Sequence, residues 1–208
     1  MDAEPRKLRV ESADLPSHAP DMNAAVYGLP RRSLLERQRM ALEMIARDAP
    51  LSDTLALLCH IVEAEAEQPV RASILLVDRQ ANCLRTGAAP GLPDAYNRAV
   101  DGIGISSGIG TCAAAAALGT VVTTPDIATD PGWKGLSHLP LELGLVAAWS
   151  MPIQCADKTV LGTLGTYFTQ CRGPSDEEMA LVAFLAQTAA LAIERADSNR
   201  AMPVSAIA

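Results

Sequence analysis

Aromatic side chains are scarce in this sequence: two Trp, three Tyr and two Phe make up 3% of 208 residues. So few rings argue against a cage for a large flat cofactor. The five cysteines (Cys59, Cys83, Cys112, Cys155, Cys171) are odd in number and scattered, with no Cys-x-x-Cys spacing and no Cys/His cluster. A structural zinc site is therefore unsupported, and reduced thiols are the expectation. There is no Gly-Lys-Ser/Thr and no glycine fingerprint set between a strand and a helix, which excludes nucleotide binding by those devices. A basic stripe is missing too. Residues 1–48 hold eight basic and eight acidic side chains, so the whole net charge of −7 falls on residues 49–208. An acidic domain is repelled by phosphate backbones, and direct nucleic-acid binding is not expected. No apolar run approaches the length of a membrane span, and the N-terminus lacks the apolar core of a signal peptide. The expected setting is the cytoplasm, away from membranes.

With 49% hydrophobic residues the chain has enough apolar material for one full core. Residues 1–30, with Pro5, Pro16, Pro20 and Pro30 and no sustained period, read as a flexible arm. Residues 31–48 suit a helix, broken at Ala49-Pro50. A second helix carries Leu51, Leu55, Leu58 and Val62 at helical spacing and ends by Pro69. Arg71 to Asp78 is short and apolar, as a strand covered on both faces would be, and Cys83 to Ala88 is its antiparallel partner. Asp94 to Val100 can form a short helix. Leu145 to Ile153 and Thr159 to Phe168 read as a hairpin. Ser175 to Glu178 is a capping box that opens a helix to about Asp197, with Leu181, Leu185, Thr188 and Ala192 along one line and Phe184 and Leu191 beside it. The domain spans 49–198, and 199–208 is a tail.

The glycine-rich stretch from Asp101 leads into Thr111-Cys112 and the alanine run 113–117, the best helix-forming composition in the chain. A loop therefore feeds a short helix, whose first amides lack internal partners and favour electron-rich ligands. After a β-branched segment at Val121 to Thr124, Asp130 can cap and Pro131 can enter a helical turn, placing Trp133 at the start of a second short helix. The bare stretch leaves two readings open, a set of structural turns and a lid over a ligand.

Alternating helices and antiparallel strands indicate an α+β fold. From about Leu51 to Arg195 the chain resembles a GAF domain of the kind attached to bacterial sensor histidine kinases and diguanylate cyclases. The resemblance is carried by residues 71–78, Gly87 to Pro93 with Tyr96, Gly108 to Cys112, and Asp126 to Trp133. It continues through Gly144-Leu145, Ala148 to Ile153, Val160 to Thr163 and Ala190 to Arg195. It implies a central antiparallel sheet with long terminal helices on one face and a short-helix and loop lid over a ligand pocket on the other. If the hairpin turns about Ala156-Asp157, Trp149 and Met151 face the helices with Gly162, Leu164 and Phe168. Ala148 and Ser150 then face the lid with Thr163, Gly165 and Tyr167. The expected ligand-binding residues are Ser73, Thr111, Cys112, Trp133, Ser150, Thr163 and Tyr167.

Among the jobs that GAF domains perform, several lack their residues here. The Asn-Lys-Phe-Asp-Glu signature of cyclic-nucleotide-binding members is absent, and the lid between Pro125 and Gly144 has no cysteine to attach a bilin. Haem could use only His138 in the lid, and a haem or redox sensor stays open as an alternative. The enzymatic alternative resembles free methionine-R-sulfoxide reductase, and Cys112 matches its cysteine after the glycine loop. Its attacking lid cysteine is missing, and its strand carboxylates correspond to Ala148, Gly165 and Tyr167. Val146-Ala-Ala-Trp-Ser150 also departs from related sensors, which often carry an arginine and a cysteine before the Trp-Ser. No output module follows Arg195. The expectation is a stand-alone, non-catalytic sensory module with no assigned cofactor, which binds a small molecule or anion. It would signal to a separate partner, such as a kinase or cyclase, through homodimer contacts. Those contacts are expected on the C-terminal helix line Val182, Ala186, Ala189 and Ile193.

Overall fold

The computed structural model describes residues 33–201. The arm expected over 1–30 and the end of the tail lie outside the described residues. A reciprocal capping box between Ser33 and Glu36 opens α1 (Leu34–Ala46). Asp48, at φ 52°, turns the chain into α2 (Leu51–Glu65), and its carboxylate accepts bonds from Arg195 and Asn199 near the far end of the chain. Then come β1 (Val70–Asp78), β2 (Cys83–Ala88), α3 (Asp94–Val100), β3 (Ile103–Gly104) and α4 (Thr111–Leu118). They are followed by β4 (Val122–Thr124), a single 3₁₀ turn (Pro131–Trp133), α5 (His138–Leu141), β5 (Ala147–Gln154), β6 (Val160–Phe168) and α6 (Asp176–Ala201). β3 and α5 have too few residues to show a period and were not legible beforehand. α6 runs to Ala201, past the expected end near Asp197.

The strands form one antiparallel sheet in the order β3-β2-β1-β6-β5-β4. In the β5–β6 hairpin Trp149 pairs with Thr166, Ser150 with Gly165 and Met151 with Leu164, the register expected. Side chains alternate across a strand, so Trp149, Leu164 and Phe168 share one face. That face packs on α2 and α6, where Leu55, Leu58 and Leu185 join Trp149 and Phe168 in the main core. Removing a fully buried ring such as Trp149 costs about 3–5 kcal/mol, so this face supplies much of the stability.

The assembly argument from α6 needs correction. Val182, Ala186, Ala189 and Ile193 are buried within the chain, as are Leu185, Thr188 and Ala192. The physical reason is a further helical layer: α6 packs on the sheet and on α2, while α1 packs against both helices and buries Ala41 in the same core. Phe184 and Leu191, expected beside the packed line, are instead exposed. By length and composition alone, Asp176–Arg200 is also apolar enough to cross a membrane. That corrects the reading of the apolar runs, because alanines raise the average of this segment without a continuous run of large residues.

The start of α6 is fastened by its capping box, with Glu178 accepting from the Ser175 amide and Ser175 Oγ from the Glu178 amide. Arg172 adds a two-pronged pair to Glu178 at 2.6 and 2.7 Å and lies 3.7 Å over the Phe168 ring. This clamp ties the end of β6 to the beginning of α6.

Candidate functional site

The other face of the sheet carries small and polar side chains, and α4 crosses it over β5 and β6. Gly110 precedes α4 at φ 50°, a conformation that strains any residue with a Cβ. Its amide donates to Gly132 O at 2.8 Å, which joins the glycine loop to the Trp133 turn. No side chain caps α4. Among the described residues, no hydrogen bond is formed by the amides of Thr111, Cys112 and Ala113, although all three residues are buried. Open donors and the positive end of the helix dipole thus lie in a buried stretch of the chain.

Beneath that helix end the hydroxyls converge. Ser150 Oγ donates to Thr111 Oγ1 at 2.8 Å and lies 3.2 Å from Cys112 Sγ. With the Ser150 proton on Thr111, the thiol donates to Ser150. A Cβ on Gly165 would stand 2.8 Å from Cys112 Sγ, 3.2 Å from Ser73 Oγ and 3.3 Å from Ser150 Oγ. Three polar atoms from three elements therefore meet over one point of β6, and only glycine permits their approach. Ser73 is 2% exposed, and its hydroxyl makes no hydrogen bond. The Tyr167 phenol lies close enough to feel it, but the pair does not reach hydrogen-bonding geometry.

Tyr167 faces the same side as Gly165, and Tyr96 from α3 meets its ring edge-on at 6.0 Å. Burial pushes both phenols up from the usual tyrosine range, and Tyr96 and Cys112 push Tyr167 further in that direction. Trp133 packs with Tyr96, Tyr167, Ala148, Ile127 and Leu145 in an apolar cluster beneath the lid. Its indole donates to Thr124 Oγ1 at 3.2 Å, Thr124 donates to Asp130 Oδ2 at 2.7 Å, and Asp130 Oδ1 caps the Gly132 amide at 2.8 Å. Trp133 thus closes its 3₁₀ turn, where the sequence suggested that it began a helix.

Of the seven expected residues, Ser73, Thr111, Cys112 and Ser150 gather within one constellation. Tyr167 and Trp133 line its apolar side. Thr163 is buried on the same face, but it sits in register with Leu75 and Pro152 and makes no hydrogen bond to the others. The role of Gly165 as the floor, and the Thr124–Asp130 support of Trp133, were missed. The Asp-Pro-Gly-Trp spacing signalled the turn, but nothing local to Thr124 pointed at an indole nine residues away. Setting aside Tyr, Trp and Cys, the buried polar side chains of the described residues are all Ser or Thr. Among those residues no three His, Cys, Asp or Glu side chains gather to hold a metal ion, and His138 is exposed on α5.

Sheet order, two-faced packing and lid define an α+β GAF fold. Residues 48–194 match the GAF domain family, and the chain belongs to it. It is 32% identical over 172 residues to the methyl sulfide methyltransferase-associated sensor of Methanosarcina acetivorans, a match covering 83% of this chain. The chain spans 17% of that relative's length. The structure is similar to a domain of a putative two-component sensor histidine kinase from Sinorhizobium meliloti 1021 (TM-score 0.59, 20% identity, 74% of this chain and 99% of that one). It is equally similar to free methionine-R-sulfoxide reductase from Neisseria meningitidis in complex with its substrate (TM-score 0.59, 17% identity, 80% and 91%). At those identities the likeness concerns the fold alone, and the fold serves sensor and enzyme alike. Family and fold together make this chain a GAF domain.

Proposed function

We propose that this GAF domain is a non-catalytic sensory module that binds a small molecule or anion under its lid. The site is formed by Ser73, Thr111, Cys112, Ser150 and Tyr167, with Trp133 as a wall and Thr163 at its margin. The single observation that carries this reading is the buried, uncapped start of α4 above the unbonded Ser73 hydroxyl. A domain selected for stability alone would fill such a place with apolar atoms or satisfy its polar ones. Occupancy would pass to a separate partner, such as a kinase or cyclase, through a homodimer in the cytoplasm. Its contact is moved from the buried Ala189 line to the exposed apolar residues: Leu35 and Leu42 on α1, and Phe184 and Leu191 on α6. Each pair is seven residues apart, the spacing of a helical seam.

Native mass spectrometry of protein purified from its own host tests the sensor reading. The expected result is a retained small molecule that is lost on denaturation. The thiol-enzyme reading draws on Cys112 at the opening of α4. The expected outcome with free methionine-R-sulfoxide and a thiol reductant is no turnover. Robust turnover abolished by Cys112→Ser would overturn the proposal.

A further inference from the structure

Resting on the ligand-binding reading above, we propose that the start of α4 is a carboxylate site, taking a small monocarboxylic acid as its anion. Two independent observations converge on it. The eight-residue helix α4 opens without a cap, leaving the amides of Thr111, Cys112 and Ala113 unbonded and buried. Ser73 Oγ, 2% exposed and without a partner, stands 3.2 Å from the same point over Gly165 that lies 2.8 Å from Cys112 Sγ.

The chemistry is one-sided. Three amides and the Ser73 hydroxyl can donate, and the Thr111 hydroxyl, which accepts from Ser150, keeps its own proton to offer. What the site lacks is an acceptor with several lone pairs, and a carboxylate oxygen pair supplies them. The helix dipole favours its charge. No buried Lys or Arg is present among the described residues, so a polyphosphate would go unneutralised. Asp130 in the neighbouring turn, already held by Thr124 and the Gly132 amide, adds repulsion that rises with ligand charge. One negative charge is therefore preferred over two or three. Trp133, Tyr96 and Ile127 suit a short apolar body behind the carboxylate. The glycine loop, exposed at Ser107 and Gly108 with open space around Gly104 and Gly108, is the side from which a ligand would enter.

The test uses the dialysed full chain and four probes, formate, acetate, propionate and butyrate, each beside its neutral amide and with inorganic phosphate as a further arm. Binding is read by saturation-transfer NMR and titration calorimetry. We expect at least one acid to bind, and its amide and phosphate to bind at least about tenfold more weakly, as loss of a charge-assisted hydrogen bond requires. Ser73→Ala should weaken that acid by about tenfold with an unchanged melting profile. Thr166→Ala, which removes an equally buried and unbonded hydroxyl from the opposite face, should leave the acid's affinity unchanged. No acid binding at about 10 mM, equal binding of acid and amide, phosphate binding as tight as the acid, or an inert Ser73→Ala would each overturn the carboxylate site. A retained molecule that is not a carboxylate, with no acid binding, sinks this inference alone. No retained molecule and no acid binding sink the sensor reading with it.

Discussion

The two faces of the sheet are built from the same strands, yet their side chains have opposite characters. On the helix side Trp149, Leu164 and Phe168 fill the space against α2 and α6. On the lid side the neighbouring positions Ser150, Gly165 and Tyr167 present hydroxyls and a bare backbone to an uncapped helix end. The helix side also holds unbonded groups, Trp149 Nε1 and Thr166 Oγ1. They belong to residues directly opposed in register. On the lid side the unbonded groups come from separate elements and are predominantly donors. One face is filled by side chains packed against helices, and the other holds donors under the lid that no acceptor among the described residues meets.

Three measurements would break or sharpen that contrast. The largest effect is expected within the helix layer. Ala189→Glu places a charge in a fully buried position and should abolish the cooperative urea transition, because an unpaired buried charge costs several kcal/mol or more. Leu191→Glu, two residues on and 53% exposed, should leave that transition within about 0.5 kcal/mol while lowering the sedimentation-equilibrium mass from dimer to monomer. An unaffected Ala189→Glu would mean that the helix layer is not the core.

Next in size is the paired comparison across one strand. Trp149→Ala should cost about 3–5 kcal/mol in chemical denaturation, whereas Ser150→Ala, which removes the bonds to Thr111 and Cys112, should cost about 1–2 kcal/mol. Equal losses would erase the distinction between the faces.

The smallest effect concerns acid. Arg172 first, and then the Ser175 amide, hold the Glu178 carboxyl below its ordinary range, against a desolvation that acts the other way. A lowered folded value means that the contribution to stability is present above the ordinary glutamate range and lost as pH falls through the lowered one. Urea midpoints should therefore drop more between about pH 6 and about pH 3 in the native chain than in Glu178→Gln. Parallel pH profiles would show that the clamp at the edge of the helix side contributes nothing.

Much of this architecture was readable from local pattern. The Ser175-Glu178 box, the start of α4 at Thr111, the Cys83–Ala88 strand and the hairpin parity all depend on neighbours in sequence, where capping, propensity and alternation act. Where tertiary packing decides, the reading failed. Both apolar lines of α6 looked like one line too many, because the sequence does not show that α1 and α2 lie over it. Thr163 was grouped with Ser150 and Tyr167 by parity, although its neighbours in register place it away from their hydrogen bonds.

The sequence by itself determined the class of fold, the face on which each hairpin residue lies and the short helix that the glycine loop feeds, since each follows from short-range chemistry. Only the tertiary structure decided that Ser73, Cys112 and Ser150, from β1, α4 and β5, would meet over Gly165. It also decided that α6 would be covered from both sides and that Trp133 would hang from Thr124. Those outcomes depend on which elements lie side by side in a packed, antiparallel sheet, and the summed burial of the whole core selects that arrangement rather than any stretch of it.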